Sequence, residues 1–133
     1  MNVFVDTSGF YAVLDADDEK HDAARGVWRK ILESPNRLFT SNYVLVETLA
    51  LIQNRIGMEC VGVFTADIQP LVNVFWVDEG THKSAHHALL VSARRSLSLV
   101  DIVSFEVMRR LDLTHAFCFD VHFAEQGFHV LPG

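Results

Sequence analysis

At 133 residues the chain is about one domain long, enough for a single core but too short for a catalytic domain joined to a separate binding domain. Half of its residues are hydrophobic, and 11 Lys+Arg against 17 Asp+Glu give a net charge of −6, which argues against broad electrostatic binding of nucleic acid. That balance leaves room for a local basic rim, or for phosphate binding through a metal. Its apolar runs are too short to span a bilayer, and Met1 to Asp6 lacks the basic flank of a secretion signal. Cys60 and Cys118 are far apart among apolar neighbours, so free thiols and a cytoplasmic location are expected.

Asn2 to Asp6 is a β-branched and aromatic run that reads as a strand, turning into a helix at Ser8. That helix, Gly9 to about Ala16, stops at the acidic cluster Asp15, Asp17, Asp18, Glu19. A second helix is expected from Glu19 to Glu33, with Ala23, Val27 and Ile31 inward, before Pro35 and Asn36 break it. Arg37 to Thr40 reads as the next strand. Ser41 or Asn42 caps an apolar helix from Tyr43 to Arg55, and Gly57 ends it.

Cys60 to Ile68 is expected to be helical, stopping near Pro70, and Leu71 to Val77 is a strand. Helices are expected over Thr81 to Arg95 and Leu99 to Leu111, a strand over His115 to Asp120, a short helical turn near Phe123 to Gln126, and a last strand over Phe128 to Leu131. No repeat, low-complexity tract or linker divides the chain, so residues 1–133 are expected to form one domain. Strands separated by helices imply a mainly parallel, doubly wound α/β sheet with helices on both faces.

In such a sheet ligands gather beyond the carboxyl ends of the strands, where strand order reverses. Four acids stand where that crevice should open. Asp6 and Asp120 close strands, Asp101 opens a helix, and Glu47 interrupts an otherwise apolar helix. Carboxylates in such places are unfavourable unless a cation meets them. Four oxygen donors without sulfur or imidazole suit Mg²⁺ or Mn²⁺ better than Zn²⁺.

Each acid also has a plain structural reading. Asp6 and Asp120 fit helix caps, Ser98-Leu99-Val100-Asp101 has the spacing of a capping box, and Glu47 could serve an internal salt bridge. Capping and metal binding do not exclude each other. His82 and His86 stand i, i+4 but have no third ligand nearby, which favours a solvated face. Lys83, Arg94 and Arg95 are either a border of the crevice or plain surface, and Trp28 and Trp76 are expected in the core or at an interface.

Val5-Asp6-Thr7-Ser8, then Val46-Glu47, then Leu97 to Phe105 with Asp101 inside it, then Phe117-Cys118-Phe119-Asp120-Val121-His122-Phe123 together resemble the signature of PIN domains. More narrowly they resemble the VapC-type ribonuclease toxins of toxin–antitoxin pairs. The resemblance implies an α/β/α sandwich with a parallel sheet of about five strands, a homodimer, and Mg²⁺- or Mn²⁺-dependent endonuclease action on RNA with one or two ions. It implies that Asp6, Glu47, Asp101 and Asp120 form the site, with Thr7, Ser8, Ser98 and His122 as neighbours of substrate or of those acids. It also implies a cognate antitoxin whose extended segment covers the crevice and the apolar surface.

The chain departs from the family's pattern at two points. His122 stands where many relatives have a further acid, and Val100 replaces a hydroxyl residue, so Ser98 or Thr7 would have to supply that contact. Against an enzyme stands the alternative of a catalytically silent PIN-like module that binds RNA or protein. Metal-dependent RNA hydrolysis, lost on Asp6→Asn, separates the two.

Overall fold

Val3, Phe4 and Val5 have no exposed surface at all, which places their strand in the middle of a sheet covered on both faces. The computed structural model describes residues 1–133 and shows five parallel strands. These are β1 (Asn2–Val5), β2 (Arg37–Ser41), β3 (Val72–Phe75), β4 (His115–Phe117) and β5 (His129–Leu131), in the spatial order β3-β2-β1-β4-β5. The expected α/β/α sandwich is therefore present. Its order reverses beside β1, and β4 is the neighbour on the far side.

Seven α-helices connect the strands: α1 (Thr7–Leu14), α2 (His21–Glu33), α3 (Asn42–Arg55), α4 (Met58–Val63), α5 (Glu79–Ser92), α6 (Leu99–Arg110) and α7 (Val121–Glu125). Aromatic contacts show how the two outer layers grip the sheet. On one side Phe10 of α1 meets Trp28 of α2 and Phe64, while Trp28 lies against Phe117 of β4. On the other, Phe123 of α7 touches Phe4 of β1 and Phe105 of α6. Each such ring fully buried contributes roughly 1.5–3 kcal/mol.

Several boundaries differ from the sequence expectation, each for a local reason. α1 begins at Thr7 because Asp6 caps it, and ends at Leu14 because Asp15 accepts the Asp17 N–H and Asp18 the Lys20 N–H in successive turns. Those turns delay α2 to His21. The expected Cys60–Ile68 helix starts earlier, as α4, and widens into a π-helical turn over Phe64–Ile68 ahead of Pro70. α5 starts at Glu79 because Asp78 accepts the Thr81 N–H, and it stops at Ser92 before Ala93, which takes a left-handed φ of 51°. β4 ends at Phe117, three residues short of Asp120, and α7 starts at Val121 because Asp120 caps it. Trp28 packs on the core as expected, but Trp76 is 71% exposed and belongs to no core.

Candidate metal centre and its cleft

Two contacts bring the ends of β1 and β4 together. The Asp6 N–H donates to the Phe117 carbonyl at 3.1 Å, and the Phe119 N–H donates to the Ser8 hydroxyl at 2.9 Å. Gly9 makes the approach possible: a Cβ there would sit 2.6 Å from the Phe117 carbonyl oxygen. The first turn of α1 is thus pressed onto the end of β4, at the reversal of strand order where ligand crevices form.

A cleft of about 370 Å³ opens at this junction, and Asp6, Glu47, Asp101 and Asp120 all line it. Three of the four acids double as helix caps. Asp6 accepts from both the Ser8 N–H (3.2 Å) and the Ser8 hydroxyl (2.6 Å) through one oxygen, Oδ2. Asp101 completes the capping box with Ser98: the Ser98 N–H donates to Asp101 Oδ2 and the Asp101 N–H to Ser98 Oγ, both at 3.1 Å. Asp120 Oδ1 accepts the His122 N–H at 2.9 Å. Glu47 caps nothing. It is exposed on the cleft wall, so the choice between a buried partner and a cleft resolves to the cleft.

His122 joins this group more closely than its place in the sequence suggested. Its Nδ1 lies 2.6 Å from Asp120 Oδ1 and 3.9 Å from Asp101 Oδ2, and its side chain is only 12% exposed. One ligand atom from each of Asp101, Asp120 and His122 falls within 4.8 Å of the other two. Thr7, in contrast, turns its hydroxyl away from the acids, donating to the Val44 carbonyl at 3.5 Å and receiving the Thr48 hydroxyl at 3.3 Å. The hydroxyls beside the acids are therefore Ser8, which donates to Asp6, and Ser98, which accepts the Asp101 N–H.

The electrostatics of this cluster ask for a cation. Burial pushes Asp6 up to about 6; the Ser8 hydrogen bonds oppose that rise, and the charges of Asp101 and Asp120 add to it. Asp101 is also raised, first by burial and then by the charge of Asp120, against the Ser98 bonds. Cys118 is buried behind the acids, where burial pushes its thiol up to about 12, and it does not line the cleft, so sulfur is not part of the donor set. Buried carboxylates lined up with at most one imidazole match the oxygen-rich donor preference of Mg²⁺ or Mn²⁺.

The other sequence candidates lie elsewhere. Lys83 pairs with Glu79 at 2.9 Å, Arg94 pairs with Glu125 at 3.1 Å, and neither they nor Arg95 line the cleft. His82 is held by the Tyr43 hydroxyl through Nδ1 and stacks edge-on with His86. Two basic cleft residues were not singled out from the sequence: Lys20 and Arg55. Their nearest sequence signal was only their charge, since nothing in the chain order shows that α1 and α3 lie side by side.

A family model described as PIN domain matches residues 3–128. The 23S rRNA-specific endonuclease VapC20 of Mycobacterium tuberculosis is 34% identical over 127 residues, 95% of either chain. The crystal structure of the Mycobacterium tuberculosis VapC20, described as a sarcin-ricin loop cleaving toxin, aligns with a TM-score of 0.83 and 33% identity over 95% of both chains. Two more distant structures share the fold. One is VapBC2 from Rickettsia felis bound to a DNA fragment from its promoter, with a TM-score of 0.67, 10% identity, and 98% and 97% of the two chains covered. The other is FitAcB from Neisseria gonorrhoeae, with a TM-score of 0.69, 13% identity, and 96% and 95% covered.

Proposed function

The chain belongs to the PIN-domain family, within its VapC-type branch, and on that premise we propose that it is a divalent-metal-dependent endoribonuclease, the toxin of a toxin–antitoxin pair. The observation that carries this reading is the convergence of Asp6, Glu47, Asp101 and Asp120 on one cleft at the carboxyl edge of the sheet, with Asp6 pushed up to about 6 by burial. We extend to this chain the substrate in the relative's name, the sarcin–ricin loop of 23S rRNA.

Asp6, Asp101 and Asp120 would hold one or two Mg²⁺ or Mn²⁺ ions, with Glu47 contributing from the opposite wall. When bound, such an ion acidifies water and offsets charge on the phosphodiester undergoing hydrolysis. The chain's own groups set up that chemistry. Ser8 ties up Oδ2 of Asp6 and leaves Oδ1 free of hydrogen bonds from that residue. Ser98 fixes Asp101 by donating its N–H to Oδ2 and accepting the Asp101 N–H at its hydroxyl. His122, at the place of the further acid in many relatives, holds Asp120 through its backbone N–H, and its buried Nδ1, which has no hydrogen-bond partner, faces Asp101 and Asp120 as a further ligand atom.

An antitoxin would cover the cleft, and a second copy of the chain the exposed apolar side chains Val46 of α3 and Leu90 and Val91 of α5. No helix is long and apolar enough to cross a membrane, and the reading places the protein in the cytoplasm with its RNA. One domain, residues 1–133, carries all of these roles. The test is cleavage of a sarcin–ricin loop hairpin by the purified protein with Mg²⁺ or Mn²⁺, and mapping of fresh RNA ends after brief expression. Ends that appear with the native chain and vanish with chelator or Asp6→Asn support the reading; ends unaffected by either refute it.

A further inference from the structure

The cleft is longer than the acidic cluster. Glu47, Leu51 and Arg55 all line it, at the i, i+4, i+8 spacing that keeps residues on one face of α3. Tyr11 and Ala12 line it from α1, so the cleft is a groove between the two helices that leads away from the acids. Eight residues of helix put Arg55 about 12 Å along the axis from Glu47. At the far end Lys20 and Arg55 enter the lining, with Asp18 the one carboxylate beside them.

Neither cation has an ion-pair partner, since the lysine and arginine pairs of the chain are Lys83 with Glu79 and Arg94 with Glu125. Arg55 is nevertheless held in place. Its guanidinium lies 5.6 Å from the centre of the Tyr11 ring, and the Tyr11 hydroxyl donates to Asp15 at 2.5 Å. Lys20 sits in the turn before α2, where its N–H donates to Asp18 at 2.8 Å and leaves the ammonium free. A chain of net charge −6 thus sets two unpaired cations, one of them stacked on a ring, in the same groove as the four clustered acids and Asp18.

We propose that Lys20 and Arg55 form a phosphate-binding subsite for the RNA backbone, so that the groove between α1 and α3 carries one arm of the strand away from the cleaved bond. This deepens the nuclease reading and rests on it. With one phosphate per about 3.4 Å of axis on each strand of a duplex, and a wider spacing in an extended strand, the ~12 Å from Glu47 corresponds to roughly two to four nucleotides. Arg55 offers a planar fork to phosphate oxygens and Lys20 a point charge.

The test measures binding, so that it does not depend on turnover. Anisotropy of a labelled sarcin–ricin loop hairpin is titrated with the native protein, Arg55→Gln, Lys20→Gln and the double variant, in Ca²⁺ and across a salt series. Arg55→Gln is expected to weaken binding about tenfold and to flatten the slope of log Kd against log salt by about 0.7, with Lys20→Gln adding a similar flattening. Arg55→Lys should restore the slope without the full affinity. In a second arm, single methylphosphonate linkages are scanned through the loop: one neutral linkage should weaken native binding and leave Arg55→Gln binding unchanged.

Native affinity and slope in all three variants, or a methylphosphonate penalty identical in native and Arg55→Gln proteins, overturns the subsite. Cleavage retained by the native protein in Mg²⁺ alongside that result would leave the nuclease reading standing. Flattened slopes with no cleavage would sink the nuclease reading and keep the subsite.

Discussion

Removing one charge from the acidic cluster should make the metal-free protein more stable, although it destroys the site. A carboxyl whose pKa rises on folding, as that of Asp6 does from 3.8 to about 6, binds more protons in the folded than in the unfolded state between those values. Stability therefore falls as pH climbs through that window, and above it the penalty is about 3 kcal/mol, taking about 1.4 kcal/mol for each unit of rise. Asp6→Asn removes the charge while keeping a side-chain oxygen to accept from Ser8, and Asn caps helices as well as Asp. In chelator at pH 8 the variant should melt higher than the native protein by up to about 10 °C, and near pH 4 the difference should shrink towards zero. Mg²⁺ or Mn²⁺ should raise the melting temperature of the native protein and leave that of Asp6→Asn nearly unchanged. Differential scanning fluorimetry over pH, with and without metal, reads all of this. A variant less stable than native at pH 8 in chelator, or equally stabilised by metal, would refute the assignment of Asp6 as a strained, cation-seeking acid.

Glu47→Gln should leave the unfolding free energy in chelator within about 0.5 kcal/mol of native, as expected for an exposed side chain that caps nothing, while lowering RNA cleavage by about tenfold to a hundredfold in a gel assay. Gly9→Ala forces a methyl group against the Phe117 carbonyl 2.6 Å away, and should cost about 1–3 kcal/mol in urea unfolding while weakening metal binding by parting β1 from β4. His122→Ala should weaken Mn²⁺ binding by about tenfold or more, measured calorimetrically, because Asp120 loses the group 2.6 Å from its Oδ1.

The strands, the four acids and the capping box were legible because each has a local signature. Val3-Phe4-Val5 reads as a buried strand from three side chains, and Ser98 with Asp101 reads as a capping box from spacing alone. What the sequence hid is non-local. Lys20 and Arg55 are 35 positions apart and meet one groove only because α1 and α3 pack together. The resemblance places His122 near the acids or the substrate, but only the capped start of α7 shows that its ring lies over Asp120 and Asp101. Widening of the helix at Phe64–Ile68 has no residue pattern of its own, and Trp76 carries no local mark that it stays outside the core.

Because Asp6 and Asp120 cap helices and Asp101 completes a capping box, as well as facing the cleft, alanine is a poor instrument for dissecting this site. An Ala variant erases chelation and unties a helix end in one stroke, so a dead or insoluble product says little about chemistry. Asparagine divides the two duties, silencing the first while sparing the second. The same division means that, on the nuclease reading, an inert descendant of this chain lies one amide away and would still fold.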